Sequence, residues 1–158
     1  MIVLGIDPGL ASTGWAVVQK KEPPILLAYG CFKTSADQSL APRLARIGEE
    51  IQKLARLYRP QVLAVEEIFF AKNVKTALKI GQSLGVIKMV GARLGLTVAE
   101  FTPLNIKMTL TGYGRADKNQ VEFMLQKCLN LTTKIKPNHA ADAVAVALTY
   151  LFTNERLK

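Results

Sequence analysis

An acidic residue ends the first apolar stretch of the chain. Residues 2–7 form an apolar run that closes on Asp7, and Pro8 and Gly9 follow at once. Pro and Gly stop a strand, so this pattern predicts a buried strand that presents a carboxylate at its end. A buried carboxylate without a partner is costly. We interpret Asp7 as the anchor of a metal site; the alternative is that its side chain caps the following turn.

Two further short strands follow the first. Residues 14–19 and 25–32 have strand patterns, and between them lies a charged turn that contains two prolines. Connections this short predict two antiparallel hairpins. Gly30 lies inside the third strand and is interpreted as a bulge.

A second acidic strand end comes after the first predicted helix. Apolar residues at helical spacing predict a helix over residues 40–58, which Pro60 ends. Residues 61–66 then form a strand that is apolar on both faces, as expected of a central strand covered by helices. This strand closes on Glu66 and Glu67.

The next predicted helix, over residues 73–94, contains an unusual number of small residues. Gly81, Gly85 and Gly91 lie within it, and each glycine costs up to about 1 kcal/mol in a helix interior. Close packing must offset this cost. The packing partner is either the sheet of the same chain or another subunit, and the two can hold on different faces.

The remaining pattern completes a mixed α/β domain. Residues 96–101 predict a fifth strand, and Pro103 opens a short helix to residue 110. Asp117 is expected to cap a helix over residues 118–129, and residues 137–138 open the last helix. No repeat or linker divides the chain. The prediction is therefore a single domain, residues 1–158, with three antiparallel N-terminal strands and two further strands in one five-stranded sheet flanked by helices.

The charge balance points to a polyanionic partner. The chain has 21 basic and 12 acidic residues, a net charge of +9, which favours nucleic acid. No apolar run approaches the ~20 residues needed to cross a bilayer, and the N-terminus lacks a signal-peptide pattern. Cys31 and Cys128 lie far apart and in no metal-binding spacing. They are expected to be reduced thiols in a cytoplasmic protein without a membrane segment.

Candidate metal ligands come from three places in the chain. Besides Asp7 and one glutamate of the pair at 66–67, His139 and Asp142 lie three positions apart at the start of the last helix. Positions i and i+3 are about 60° apart around a helix, so these two side chains share a face. Oxygen ligands suit Mg²⁺, and two ions per site can act together in phosphodiester cleavage. A histidine among carboxylates also fits Mn²⁺.

Each candidate ligand has an ordinary structural explanation. One of Glu66 and Glu67 is expected to be a solvated charge at the strand end, and the strand pattern does not say which. A histidine near a helix start is often a capping or hydrogen-bonded residue. The prediction of a metal site rests on the convergence of the acids.

Three motifs together resemble the RuvC family of Holliday-junction resolvases. They are GIDPG at residues 5–9, VEEIFFAKN at 65–73 and HAADA at 139–143, and the resemblance covers nearly the whole chain. It implies a ribonuclease H-like fold, a symmetric homodimer, and magnesium-dependent nicking of four-way DNA junctions. Association with a branch-migration motor, the RuvA–RuvB complex, is also implied by the resemblance.

The resemblance assigns roles to individual residues. It implies that Asp7, Glu66 and Asp142 bind metal, and that His139 takes a fourth ligand position where some members have aspartate. It also implies that Lys107 and Lys118 assist cleavage.

Candidate DNA contacts combine aromatic and basic residues. The resemblance implies that Phe69 stacks on bases near the crossover, whereas Phe70 is expected to fill the core. Stacking is worth roughly 1–3 kcal/mol per base. Basic residues could line a path for phosphates, although the same pattern is typical of an ordinary exposed face: Arg43, Lys72, Lys75, Lys79, Arg115 and Lys118.

The sequence thus predicts a homodimeric, metal-dependent endonuclease that resolves four-way junctions. Three alternatives stay open. An actin-like ATPase or sugar kinase would need phosphate-binding glycine loops and a second lobe, for which 158 residues leave little room. A binding module without catalysis would have no use for the acidic set. A nuclease of the same fold that acts on RNA–DNA hybrids is the third.

Overall fold

The computed structural model describes residues 1–67 and 74–155, with side chains up to residue 153. Within these residues, five strands and five helices follow one another in the order that the sequence predicts, and their ends differ from the predicted ones by at most two residues. They are β1 (Ile2–Asp7), β2 (Ser12–Gln19), β3 (Ile25–Lys33), α1 (Leu40–Tyr58), β4 (Val62–Glu66), α2 (Val74–Arg93), β5 (Thr97–Phe101), α3 (Pro103–Thr111), α4 (Lys118–Cys128) and α5 (Asn138–Glu155).

The strands form one mixed sheet in the order β3-β2-β1-β4-β5. β1 pairs antiparallel with β2, and β2 pairs antiparallel with β3. β4 joins β1 in parallel, and β5 joins β4 in parallel. The five-stranded mixed sheet and its two N-terminal hairpins are confirmed. Because β1, β4 and β5 run in the same direction, their carboxyl ends meet at one edge of the sheet, where Asp7 and Glu66 stand.

The predicted bulge at Gly30 is wrong. Gly30 pairs in regular register with Trp15, and the irregularity lies three residues earlier on β3, where Leu27 is the extra residue opposite Val17 and Val18. Gly30 has a different purpose, because a Cβ there would lie 2.9 Å from the indole ring of Trp15. The glycine leaves room for the tryptophan to lie across the strand.

Helices cover both faces of the sheet and enclose two hydrophobic cores. One core lies under α5 and contains Val3, Ala16 and Val18 from the strands. The other lies under α1 and α2 and contains Leu4, Ile6 and Val17. The alternation along β1 and β2 divides these side chains between the two faces. Val62 to Val65 of β4 are almost fully buried, which confirms β4 as a central strand.

Helix α5 lies unusually close to β1 and β2. A Cβ on Gly5 would collide with the carbonyl oxygen of Ala143, and one on Gly14 with the carbonyl oxygen of His139. Both obstacles are helix backbone, which cannot turn aside as a side chain can. Glycine at these two positions therefore sets the distance between α5 and the sheet.

The glycines of α2 serve different faces, as the sequence allows. A Cβ on Gly91 would collide with Leu63 Cδ2 in the core, so Gly91 lets α2 approach β4. Gly85 is exposed, and a Cβ there would meet nothing within 4 Å. Packing on the sheet therefore explains Gly91 and leaves Gly85 without an explanation inside the described part of this chain.

Side-chain caps fix the starts of α3 and α4. Thr102 and Asn105 form a capping box at α3, and Asp117 and Gln120 form one at α4, as expected for Asp117. Cys31 and Cys128 are free thiols. Among the described residues, no helix is long and apolar enough to cross a membrane.

Candidate metal centre and nucleic-acid interface

Asp7 occupies the end of β1, the central strand of the sheet. Its carboxylate is mostly buried, and Oδ2 lies 2.6 Å from Nδ1 of His139, a residue 132 positions away. The structure thus gives the carboxylate of Asp7 a partner on α5. This contact brings the first and third sequence motifs together.

The start of α5 supplies two candidate ligands from adjacent turns. His139 and Asp142 both project toward Asp7, and one ligand atom from each of the three residues lies within 4.8 Å of the others. This proximity depends on the close approach of α5 to the sheet at Gly5 and Gly14. The shared face that i, i+3 spacing predicts is therefore present.

Glu66 completes the acidic group from the neighbouring strand. β4 pairs in parallel with β1, so Glu66 ends close to Asp7. Glu66 is half-buried, whereas Glu67 is exposed and its backbone N–H donates a hydrogen bond to the carbonyl oxygen of Phe101. The structure places Glu66, and not Glu67, at the acidic edge.

Burial raises the pKa of all three carboxyl groups, and charges within the acidic group add to this effect for Asp7 and Glu66. Loss of solvent is the largest cause in each case, and it raises the pKa of Asp7 and of Asp142 above the ordinary aspartate value. For Glu66, burial together with the charges of Asp7 and Asp142 raises the pKa to about 7. Three acids that resist ionisation in each other's presence carry more negative charge than the surrounding protein compensates. Such a donor set of carboxylates with one imidazole fits a hard divalent cation.

A half-enclosed cavity of about 190 Å³ extends from the acids between α3, α4 and α5. Lys107 and Lys118 line its mouth, and Lys118 Nζ lies 3.7 Å from Asp142 Oδ2. Its floor is apolar and includes Ile106 and Leu125. The two lysines that the family resemblance selects from 21 basic residues are thus the ones that share a cavity with Glu66 and Asp142.

Arg43 lies on α1, and a hydrogen bond to Thr34 orients its side chain. Its Nε donates a hydrogen bond of 2.8 Å to the hydroxyl of Thr34, which in turn donates to the carbonyl oxygen of Leu10. Leu10 belongs to the loop that follows Asp7. The guanidinium is therefore held against the loop that begins at the metal site.

The other basic candidates lie in exposed positions. Lys75 and Lys79 are on the first turns of α2, and Arg115 is in the loop between α3 and α4. Phe69, Phe70 and Lys72 lie outside the described residues.

Sequence reasoning did not identify several residues that shape the site. Glu122 and Val121 of α4 line the cavity, and Glu122 is paired with Lys134 at 2.6 Å. Thr34 orients Arg43. The i, i+3 and i+4 spacing from Lys118 to Val121 and Glu122 is the signal that places these side chains on one helix face. For Thr34 the sequence carries no such signal, because its contact depends on the loop before α1.

Comparisons with family models and with known proteins identify the same family. A family model described as crossover junction endodeoxyribonuclease RuvC matches residues 3–150. The chain is 45% identical over 152 residues to the crossover junction endodeoxyribonuclease RuvC of Syntrophomonas wolfei, covering 96% of this chain and 88% of that protein. It is also 45% identical to the RuvC of Moorella thermoacetica over 151 residues, with coverage of 95% and 90%.

Solved structures agree with these matches. The RuvC of Thermus thermophilus, solved in complex with a Holliday junction substrate, superposes with a TM-score of 0.94 at 35% identity and covers 99% of this chain and 96% of that one. The yeast mitochondrial Holliday junction resolvase Ydc2 superposes with a TM-score of 0.73 at 13% identity, covering 98% and 79%, which shows the shared fold. The predicted ribonuclease H-like fold is thereby confirmed. With its motifs, its fold and these relatives in agreement, the chain belongs to the RuvC family of crossover junction endodeoxyribonucleases.

Proposed function

We propose that this chain is a structure-specific endonuclease that binds four-way DNA junctions as a homodimer and resolves them by nicking two strands symmetrically. The observation that carries the proposal is the acidic group at the sheet edge, where Asp7, His139 and Asp142 converge in a chain of this family. Nucleases of the family are metal-dependent. The activity serves homologous recombination and DNA repair in the cytoplasm, and the whole chain acts as one nuclease domain.

The metal would be held by Asp7, Glu66, His139 and Asp142. Two Mg²⁺ ions per site fit three carboxylates whose pKa values are raised chiefly by burial, and Mn²⁺ can substitute because of the imidazole. When bound, divalent ions would supply an activated water and neutralise charge at phosphorus, and the products would carry a 5′-phosphate and a 3′-hydroxyl.

The chain's own cations act beside this group. Lys118 lies next to Asp142, and Lys107 shares the cavity. An ammonium group near the scissile phosphate stabilises the negative charge that develops there without being a metal ligand. The two lysines therefore position and neutralise the phosphate in this proposal.

Further DNA contacts follow the same edge of the sheet. Lys75 and Lys79 on α2 and Arg115 in the α3–α4 loop are exposed, and with Lys72 they form a path for backbone phosphates. Arg43 approaches from α1. Phe69 is the proposed stacking residue near the crossover.

The homodimer is supported by one face of α2. Val74, Leu78 and Met89 are large apolar side chains exposed on this helix, and they fall with Gly85 within about 60° around its axis. Exposed glycine allows a second helix backbone to approach, and a two-fold axis would pair this face with itself. Such symmetry matches the two strands to be cut in a four-way junction. Association with the RuvA–RuvB branch-migration motor is part of the proposal by family alone.

The first experiment compares a labelled four-way junction with a linear duplex of the same sequence. We expect paired, symmetric nicks on the junction in Mg²⁺, none on the duplex, and none in chelator. Asp7→Asn should abolish cleavage and leave junction binding intact. The matched control is Asp37→Asn, which changes an exposed aspartate between β3 and α1 and should cleave normally.

Two results would contradict the proposal. Junction binding without cleavage in Mg²⁺ or Mn²⁺ would leave a binding module. Preferential cleavage of an RNA–DNA hybrid at the same salt concentration would reassign the substrate.

A further inference from the structure

The loop between α3 and α4 is held in one conformation by its own hydrogen bonds. The hydroxyl of Thr111 donates to the carbonyl oxygen of Lys107 at 2.8 Å and accepts from the backbone N–H of Tyr113 at 3.1 Å. Gly112 ends α3 in the left-handed conformation with φ of 73°, which favours glycine. The backbone N–H of Ala116 then donates to the carbonyl oxygen of Tyr113. Tyr113 therefore projects from a fixed turn.

This turn folds back along α3 toward the catalytic edge. A Cβ on Gly114 would collide with Leu104 Cδ1 and would lie 3.6 Å from Met108 Cε. Leu104 is on the first turn of α3, which follows the end of β5 directly. The loop thus places Tyr113 beside the outer face of α3 and not beyond its far end.

Three large apolar side chains are exposed in this region. Leu104 is 58% exposed, Met108 49% and Tyr113 56%. We call Leu104, Met108 and Tyr113 the α3 patch. An exposed aromatic ring on a fixed turn, backed by two aliphatic side chains, is a surface suited to a flat apolar partner.

Positive charge surrounds the patch and connects it to the catalytic cavity. Lys107 is on α3 between Leu104 and Met108, and Lys118 is one residue past the loop; both line the cavity with Glu66 and Asp142. Arg115 is exposed in the loop itself. Cations interleaved with an exposed aromatic ring are typical of surfaces that follow a nucleic-acid strand.

We propose that Tyr113 stacks on a nucleobase of the DNA strand that passes the metal site, with Leu104 and Met108 supporting the stacked base. The inference rests on the proposed function, and it assigns a second aromatic contact in addition to the one proposed for Phe69. Lys107 and Arg115 hold the phosphates on either side of this base.

A protein partner fits the patch less well than DNA. Stable protein interfaces bury on the order of 800 Å² per partner around an apolar centre, whereas three side chains here stand among cations. Continuity with Lys107 and Lys118 also favours the molecule that must already reach the cavity. The occupant is therefore a base, which needs only a ring face and neighbouring positive charge.

The test measures junction affinity in the Asp7→Asn background with chelator, so that no cleavage occurs. Stacking is worth roughly 1–3 kcal/mol per base, so Tyr113→Ala should weaken binding by about 5- to 150-fold. Tyr113→Phe keeps the ring and should bind within about twofold of the parent. The loop contacts of Tyr113 use only its backbone, so alanine leaves the turn intact.

Phe123 provides a matched control. It is also 56% exposed, but it lies on α4 next to Lys127, with Lys127 Nζ 5.4 Å from the ring centroid, and outside the residues that line the catalytic cavity. Phe123→Ala should leave junction affinity unchanged. A junction carrying 2-aminopurine in the strand that passes the metal site, away from the crossover bases assigned to Phe69, should show fluorescence quenching with the parent and with Tyr113→Phe, and none with Tyr113→Ala.

The outcomes separate this inference from the proposed function. If Tyr113→Ala binds as tightly as the parent, or if Tyr113→Phe is as weak as Tyr113→Ala, stacking by Tyr113 is wrong while junction binding stands. If the parent itself does not prefer the junction to a linear duplex, the proposed function fails first.

Discussion

Glu66 is the residue whose environment most directly records the negative charge of the site. Burial and the charges of Asp7 and Asp142 raise its pKa to about 7 from the ordinary glutamate value of 4.5. Between these two pH values the folded protein binds more protons than the unfolded chain. The metal-free protein must therefore lose stability as the pH rises from about 4.5 to 7.

Glu66→Gln should remove most of this loss. The glutamine side chain is neutral at every pH. In the absence of metal, the free energy of unfolding of the variant should therefore exceed that of the wild type at pH 8, by at most about 3 kcal/mol. At pH 4.5 the two values should be closer. Chemical denaturation in chelator at both pH values measures this. The exposed neighbour offers a control, since Glu67→Gln should follow the wild-type profile; a wild type that grows more stable toward pH 8 would contradict the prediction.

His139 is the nitrogen donor in the proposed set of metal ligands. Its Nδ1 lies 2.6 Å from the Asp7 carboxylate, and an imidazole suits Mn²⁺ better than Mg²⁺. We predict that His139→Asp raises the ratio of the Mg²⁺-supported to the Mn²⁺-supported cleavage rate, measured in single turnover.

The control for this change adds the same charge one position away. Asn138→Asp places a carboxylate on the exposed first residue of α5 and should leave the ratio as in the wild type. Equal ratios in all three proteins would remove His139 from the ligand set.

At the scale of elements, α4 depends on its first residues for both stability and placement. The Asp117 side chain accepts a hydrogen bond of 2.9 Å from the backbone N–H of Gln120, and the Gln120 side chain accepts one from the backbone N–H of Asp117. The next residue is Lys118, which reaches Asp142. The capping box therefore fixes the position of Lys118, a proposed catalytic residue.

Asp117→Ala should lower the free energy of unfolding by about 0.5–2 kcal/mol and reduce cleavage through the displaced Lys118. Asp117→Ser retains a capping oxygen and should restore most of both. Thermal unfolding and the single-turnover rate are the two measurements. A serine variant that stays as impaired as the alanine variant would mean that the carboxylate acts by its charge and not as a cap.

The sequence predicted the elements well because their patterns are local. Hydrophobic periodicity, prolines and a capping aspartate bound most of the strands and helices within two residues. The bulge was misplaced because it depends on the register with the partner strand: the extra residue is Leu27, opposite Val17 and Val18, whereas Gly30 pairs regularly. Choosing between Glu66 and Glu67 also failed by pattern alone, because β4 is buried on both faces and alternation does not say which face holds the site.

The candidate site was harder to derive than the elements. Each ligand was visible as an acid at a strand end or a histidine at a helix start, yet Asp7 and His139 are 132 positions apart. Their meeting depends on how closely α5 packs on the sheet, which no single-element pattern contains. The family resemblance, and not the periodicity, grouped these residues into one candidate site.

At the scale of the whole molecule, basic and acidic residues occupy different places and serve different functions. The net charge is +9 although three acids gather at one edge of the sheet, so the remaining surface is strongly basic. A basic surface attracts DNA at long range, whereas the acidic edge repels phosphate until cations are bound. This division agrees with an enzyme that binds its substrate without metal and cuts only with it.

The proposed dimer gives a prediction at this scale. Leu78 is 65% exposed on α2, and Leu78→Asp would place a charge in the paired face and a second one across the two-fold axis. Sedimentation velocity should show a dimer for the wild type and a monomer for the variant, and paired nicking should give way to unpaired single nicks.

Leu57 provides the comparison for this variant. It is 71% exposed on a different helix, α1, and Leu57→Asp should remain dimeric. Dissociation by both variants would indicate a general loss of folding, and dimerisation of both would place the interface elsewhere.

Gly5 and Gly14 have a consequence for how genetic data on this protein should be interpreted. Neither has a side chain that could touch metal or DNA, yet any side chain at either position would collide with the backbone of α5 and move His139 and Asp142 away from Asp7. A saturation screen scored by survival after DNA damage would rank these two glycines with the acidic ligands. Such a ranking would reflect the position of α5. A Gly14 variant would be inactive because His139 and Asp142 lie too far from Asp7, and not because any proposed ligand is missing.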